Sequence, residues 1–409
     1  MNLGMTDRVK PLVDQVHSYI ADAVVPLETE FFNAMNAEDR WQLSDRQHEI
    51  LAGLKQGARD KGLWNFFLTD SEDGYGLNTV EYAYLAEEMG HSHLAAEVFN
   101  CAAPDTGNME VLARYGSDAQ KARWLKPLLN GEIRSAYAMT EPGVASSDAT
   151  NISMSAVLKN GEWLINGEKF YISGAGDARC KVLICMVRTD PQAPRHQQHS
   201  QILIPMDAPG VEVVRPMQVF SRDDAPHGHM HIRLSDVRVP EDHLILGVGR
   251  GFEIAQGRLG PGRIHHCMRA IGMAEKALQL MCERAVSRTA FGKPLAKLGG
   301  NYDRIAQARM QIDMARLLTL QTAHVIDNEG VDAAHLWISK IKAVVPNVAI
   351  DVIDDAIQMH GAAGLSQDFP LAEMYMNART LRLADGPDEV HRMVVARAEL
   401  RPYIDKGKS

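Results

Sequence analysis

Five short segments carry residue types that could do chemistry. In LRLADGPDEVHR (381–392), Asp385 enters a Gly386-Pro387 turn between two helical patterns. A carboxylate there could serve as a general base once desolvated, because burial raises its pKa towards working pH. The same pattern also opens helices as an N-cap. In YAMTEPGVASSDATNI (137–152), Gly143, Ala145, Ser146 and Ser147 lie beside Thr140 and Asp148. Small residues let backbone N–H groups approach a phosphate or a ring edge. A polar surface connection has the same composition. KFYISGAG (169–176) sets an aromatic beside a hydroxyl and glycines, which can stack on and hydrogen-bond a flat heterocycle. A strand ending in a glycine turn reads alike. In SRTAFGK (287–293), Arg288 and Lys293 could hold phosphate, or could complement a helix end. QMHGAAGLSQDFP (358–370) is a helix running into a small-residue loop. A helix stop explains its glycines but not the Gln-x-His lead-in. His227, His229 and His231 would share one strand face. No fourth ligand or carboxylate pair stands at a usual spacing, so no metal is expected.

These residues need elements to position them. A chain of 409 residues, at about 100–200 per domain, suggests two or three domains. Residues 1–130 read as helical, with a loop around Asp73-Gly74-Tyr75-Gly76. Tyr82, Leu85, Ala86 and Met89 share a helix face that Gly90 should stop. Residues 131–243 read as short strands in a small barrel or sandwich. Asn160-Gly161 and Asn166-Gly167 signal hairpins, with WLI between them. HMHIRL alternates: Met230, Ile232 and Leu234 on one face, His229, His231 and Arg233 on the other. Residues 244–409 return to helices, the Pro/Gly-containing stretch 240–262 marking the boundary. One apolar stripe runs through Ile341, Val345, Val348, Val352, Ala356 and Met359, and another through Ile271, Ala274, Leu278, Met281 and Ala285. A third follows Ile305, Ile312 and Ala315, with Met310, Met314 and Leu317 beside it; such methionines are expected in the core. Long amphipathic helices of this kind make a bundle.

Composition excludes several classes. Hydrophobic residues at 45% and charged ones at 23% supply large cores, which excludes disorder as the main state. A net charge of −9 argues against a nucleic-acid or membrane-surface binder. No apolar run is long enough to span a bilayer. The five cysteines form no CxxC pair, and MNLGMTDRVK suits neither a signal nor a transit peptide. Reduced thiols in a cytoplasmic compartment are therefore expected.

Taken together and in order, the segments resemble the acyl-CoA dehydrogenase family over nearly the whole chain. GYGLNTVEYAYLAEEMG, YAMTEPGVASSDA, FYISGAG, LSDVRVP, SRTAFGK and QMHGAAGLSQDFP carry the likeness. TEPGVASSDAT and ADGPDEVH look most like the branch of family members ten and eleven, in which the dehydrogenase is fused to a kinase-like domain; an unfused dehydrogenase is expected here. The resemblance implies an α+β multidomain fold: an N-terminal α-helical domain, a middle β-barrel and a C-terminal four-helix bundle. FAD would lie between barrel and bundle, facing an acyl-CoA thioester, in a homodimer or homotetramer.

Roles follow by resemblance. Ala138, Met139, Thr140 and Ser147 match the stretch along the flavin, Ser147 also touching the CoA side. Tyr171, Ile172 and Ser173 match the aromatic segment on the flavin face, Tyr171 replacing the more usual Trp. Arg288, Phe291, Gln358 and Gly361 match FAD contacts supplied by a neighbouring subunit. Pro387 and Glu389 follow the base on the cofactor side; Arg263, in GPGRIHH, matches the catalytic-site arginine behind the base carboxylate and sits with Gly386 on the substrate side. Asp385 matches the catalytic glutamate, one methylene shorter; the family's alternative base position is Gly262 here, which cannot serve. The sequence departs from the family at Gly299, where a Gln is common, at Pro387, where a Thr is common, and by one inserted residue in the TEP loop. The implied reaction is α,β-dehydrogenation: α-proton to Asp385, hydride to flavin N5, electrons to an electron-transfer flavoprotein. The backbone N–H of Asp385 and a ribityl hydroxyl would hold the enolate oxygen. The branch likeness points to longer or 4-hydroxylated acyl groups. Flavin oxidases, either nitroalkane oxidase or acyl-CoA oxidase, share the scaffold and are the alternative. A flavin-free scaffold is a third.

Overall fold

A computed structural model describes residues 3–69 and 74–406; Asp73 of the loop read from the sequence lies outside them. Among the described residues, eight α-helices come first: α1 (Lys10–Tyr19), α2 (Val25–Asn33), α3 (Asp45–Asp60), α4 (Thr79–Met89), α5 (Ala95–Val98), α6 (Asp105–Tyr115), α7 (Asp118–Gln120) and α8 (Lys126–Leu129). Seven strands follow: β1 (Arg134–Ala138), β2 (Ser155–Lys159), β3 (Glu162–Ser173), β4 (Cys180–Arg188), β5 (His199–Pro205), β6 (Val211–Met217) and β7 (His229–Pro240). Then come α9 (Gly251–Ser287), the short pair β8 (Thr289–Ala290) and β9 (Lys293–Pro294), α10 (Asn301–His360), α11 (Leu371–Thr380) and α12 (Asp388–Lys406). The helix–strand–helix order matches the sequence expectation. Among the described residues, no helix is long and apolar enough to cross a membrane.

The chain forms two compact units: Met1–Glu28, Gly76–Ala96 and Gly260–Ser409 in one, Thr29–Tyr75 and Glu97–Leu259 in the other. In the second, one curled sheet runs β1-β4-β2-β3-β7-β6, with β5 also on β4. β2 and β3 turn at Asn160 (φ 53) and Gly161 (φ 80), the two-residue hairpin the sequence signals. Asn166-Gly167 departs from expectation. It lies inside β3, where the register against β7 shifts. Four residues between two reverse turns are too few for this strand, and a bulge absorbs the extra residue instead. Asn166 Nδ2 donates to Asp236 Oδ1 at 3.1 Å, and Asp236 N donates back to Asn166 Oδ1 at 2.8 Å. Met230, Ile232 and Leu234 of β7 are buried as the alternation requires, joining Trp163, Ile165, Leu183 and Ile204 in the sheet core.

In the first unit, α4 begins at a reciprocal cap between Asn78 and Glu81 and stops before Gly90. Tyr82, Leu85, Ala86 and Met89 are all buried. A Cβ on Gly272 of α9 would strike the Glu87 carbonyl oxygen, and one on Gly90 would strike the Arg269 carbonyl, so the two helices meet backbone to backbone. Arg316 of α10 closes the crossing by pairing with Glu87 and Glu275, while Arg309 Nη2 pairs with Glu275 Oε2 at 2.5 Å. α10 is broken at Gly330 (φ 85, ψ 169). Its two arms, α9 and α12 are the four long helices of the expected bundle. Met310, Met314 and Leu317 depart from expectation, each being more than half exposed. Ala308, Ile312 and Ala315 take the buried face of that arm, which leaves the methionines on another.

Candidate active site

On the sheet, the TEP loop hangs from a buried ion pair. Lys169 Nζ lies 2.9 Å from Glu141 Oε1 and also donates to the carbonyls of Met139 (2.9 Å) and Met186 (2.7 Å). Glu141 accepts further from Ser153 N, Ser153 Oγ and Met154 N at 2.8, 2.6 and 2.9 Å. Burial opposes the Glu141 charge, but Lys169 and these donors outweigh it and hold the carboxyl below its usual range. Phe170 N donates to Thr140 O at 3.0 Å, tying 138–141 to 169–173. Ala138 and Ile172 bury their side chains, whereas Thr140, Ser147 and Tyr171 are exposed. Tyr171 sits at φ 55, a conformation uncommon outside glycine. Ser173 Oγ bonds to His229 Nδ1 at 2.9 Å, and Glu168 takes His231 (3.0 Å) and Arg233 (2.9 Å). His229 and His231 are thus committed to protein partners, while His227 precedes β7 and does not share the strand face expected from the sequence. Among the described residues, no group of three or more His, Cys, Asp and Glu could hold a metal.

In the helical unit, Asp385 occupies the turn between α11 and α12 at φ 55, followed by Gly386 at φ 101. Its carbonyl accepts from Arg263 Nε and Nη2 at 3.3 and 3.0 Å and from His391 Nε2 at 3.2 Å. Its carboxylate lies 3.3 Å from His266 Nε2, and the side chain is 21% exposed. A Cβ on Gly386 would sit 2.9 Å from His391 Nε2, so glycine is required there. Lys342 donates to Leu381 O and, at 3.4 Å, to Gly386 O. Burial pushes the His391 ring down to about 4 and lowers the Lys342 ammonium as well. Asp388, not Asp385, anchors the start of α12: it is buried, accepting from Arg382 Nε (2.8 Å) and Asn347 Nδ2 (3.1 Å). Pro387 is half-buried and Glu389 exposed.

Sequence reasoning missed Glu141, Lys169, His266, Lys342 and His391. Two of them carried a signal. His266 stands one helical turn after Arg263 and so faces the same way. His391 lies six residues after Asp385, within reach once α12 has turned. Lys169, whose partner is 28 residues away, carried none.

The remaining segments lie elsewhere. Phe291 (φ 51) and Gly292 (φ 72) form the tip of the β8–β9 hairpin, and Phe291 is 96% exposed. Gln358 and Gly361 are exposed at the end of α10, whose last carbonyl, His360 O, accepts from Arg284 at 3.5 Å. Arg263 and Arg288 lie 25 positions apart along α9 and its end, roughly 37 Å at the helical rise.

The acyl-CoA dehydrogenase N-terminal, middle and C-terminal domain models match residues 7–132, 136–236 and 249–400. The chain belongs to the acyl-CoA dehydrogenase family, a family of FAD-dependent oxidoreductases. Acyl-CoA dehydrogenase family member 10 of Mus musculus is 55% identical over 403 residues, covering 97% of this chain and 37% of that protein. Family member 11 of Rattus norvegicus is 49% identical over 408 residues, covering 98% of this chain and 52% of that protein. The chain thus spans about half or less of the length of these curated relatives. A solved structure from Mycobacterium abscessus, assigned to the acyl-CoA dehydrogenases, is 52% identical with a TM-score of 0.94, covering 98% of this chain and 100% of that one. The likeness to the branch of members ten and eleven, read from two loops, therefore extends along the whole chain.

Proposed function

We propose that the protein removes the α-proton and β-hydride of an acyl-CoA thioester, with Asp385 as the base. The observation that carries this is the clamped turn at Asp385. Arg263 and His391 hold its carbonyl, glycine is required behind it, and His266, Lys342 and Arg263 surround it with nitrogen donors. Held through both its carbonyl and its carboxylate, the Asp385 side chain stays aimed. The turn also carries the Asp385 backbone N–H, a donor for the thioester oxygen as negative charge grows on it; one such donor is worth about 3–4 kcal/mol of barrier.

The residues present fit FAD. The sheet offers an exposed tyrosine face beside Ser173, and an exposed loop of small residues and hydroxyls that Glu141 and Lys169 fix from below. Thr140, Ser147, Tyr171 and Ser173 would hold it, with the backbone of Ala138, Met139 and Ile172. When bound, FAD supplies the acceptor for the β-hydride at N5 and a route for the electron pair to an electron-transfer flavoprotein. Asp385 takes the proton from Cα, Arg263 keeps the turn in register, and Gly386 leaves room for the thioester. By the family resemblance, Arg288, Phe291, Gln358 and Gly361 would reach the FAD of a second copy; Arg288 lies roughly 37 Å along α9 from Arg263, which supports that reading for it. None of the five cysteines, all among the described residues, forms a disulfide, and four are buried, which suits a reducing, cytoplasm-like compartment.

The test is anaerobic flavin bleaching against a panel of acyl-CoAs, 4-hydroxylated ones included. Bleaching by acyl-CoA with slow reoxidation by oxygen and rapid transfer to an electron-transfer flavoprotein supports the reading. Rapid reoxidation by oxygen alone would mark a flavin oxidase. A colourless protein that takes up no FAD would sink both.

A further inference from the structure

The Asp385 carboxylate has a neighbour whose role the reaction outlined above does not state. His266 stands on α9 one turn after Arg263, and its Nε2 lies 3.3 Å from Asp385 Oδ2. The other ring nitrogen, Nδ1, lies 3.4 Å from Arg269 Nη2. A guanidinium can only donate, so Nδ1 must be the acceptor and carry no proton. The neutral ring then has its single hydrogen on Nε2, directed at the carboxylate. Protonating Nδ1 would set two donors against each other and add a positive charge beside Arg269. The relay Arg269–His266–Asp385 therefore has one consistent hydrogen-bond direction.

We infer that His266 is a positioning residue for Asp385: a neutral Nε2–H donor, locked in that tautomer by Arg269, that fixes one carboxylate oxygen and so orients the group for taking the substrate proton. Backbone and side chain of the base are thereby fixed separately. Arg263 and His391 hold the carbonyl, and His266 holds the carboxylate. A neutral donor suits a base better than a cation would. It orients the carboxylate without the full charge that would depress its basicity. The side chain of aspartate is short, so a small rotation moves its oxygens off line, and misplacement by about 1 Å can cost about 100-fold in rate.

This rests on the proposed proton abstraction by Asp385, so the test has one arm that needs no turnover. In nitrogen-15 NMR of histidine-labelled holoprotein, the resonances lost in His266→Gln identify the ring. They should show a protonated Nε2 and a bare Nδ1, and both should move in Asp385→Asn. A protonated Nδ1, or resonances indifferent to Asp385→Asn, would overturn the inference. In the second arm, His266→Leu removes the donor and His266→Gln returns an amide N–H. Anaerobic flavin reduction should fall at least tenfold in the leucine variant and recover to within about threefold of wild type in the glutamine variant, with acyl-CoA affinity and FAD content unchanged in both. Glutamine as slow as leucine, or leucine as fast as wild type, would also overturn it. Failure of the wild type to bleach with any acyl-CoA would instead strike the functional reading, and the NMR arm would still decide whether the relay exists.

Discussion

At the residue scale, three residues singled out from the sequence, Tyr171, Phe291 and Asp385, take positive φ. Such conformations cost energy and gather where a chain must aim a group. Asparagine tolerates this region as well as aspartate does, so Asp385→Asn tests the chemistry with the backbone left intact. That variant should stay yellow and lose bleaching by about 100-fold or more, the usual worth of a positioned base. Lys169→Met leaves Glu141 buried without its cation and should cost about 3–5 kcal/mol, read by urea unfolding. His391 yields a pH prediction. An unfolded chain binds this proton near 6.5, the folded one only near 4. Stability from keeping the ring neutral is therefore complete above pH 6.5 and is lost as the pH falls through about 4. His391→Gln should flatten the stability profile across that window by up to about 1.4 kcal/mol per pH unit. The five motifs were legible because each puts its chemistry in consecutive residues. The residues behind them were not, because Glu141 meets Lys169, and Asp385 meets Arg263 and His266, only after strands and helices bring distant positions together.

At the element scale, periodicity carried most of the information. The face from Tyr82 to Met89 is buried as read, and so is the stripe from Ile341 to Met359 except at Val348, which is half-buried. The misreadings share a cause. Asn166-Gly167 and Met310-Met314 have local composition that suits two environments, and pairing with β7 or with a helix decides between them. The α4–α9 crossing depends on the absence of side chains at Gly90 and Gly272. Gly272→Ala should force the helices apart and lower stability by about 1–3 kcal/mol, a figure thermal or chemical unfolding would check. Since α9 also carries Arg263 and His266, the same variant should slow flavin reduction more than it weakens acyl-CoA binding.

At the scale of the whole molecule, Tyr302, Met310, Met314 and Leu317 lie exposed along the first arm of α10, and Phe291 stands out at the hairpin tip. Such a surface on a chain with buried cores elsewhere suits association with its own kind. Light scattering should find a dimer or larger, and Met310→Lys with Met314→Lys should lower the mass and release FAD; a monomer that kept its flavin would contradict this. One long rod, α9, bears the support for the acid near its start and leads into the Phe291 hairpin at its end. If each hairpin completes a companion's pocket, damage to the two ends is not equivalent within an assembly. Mixing subunits crippled at Asp385 with subunits crippled at Phe291 would regenerate some intact pockets, so two dead preparations, dissociated and reassembled together, would recover a share of activity that neither possesses alone.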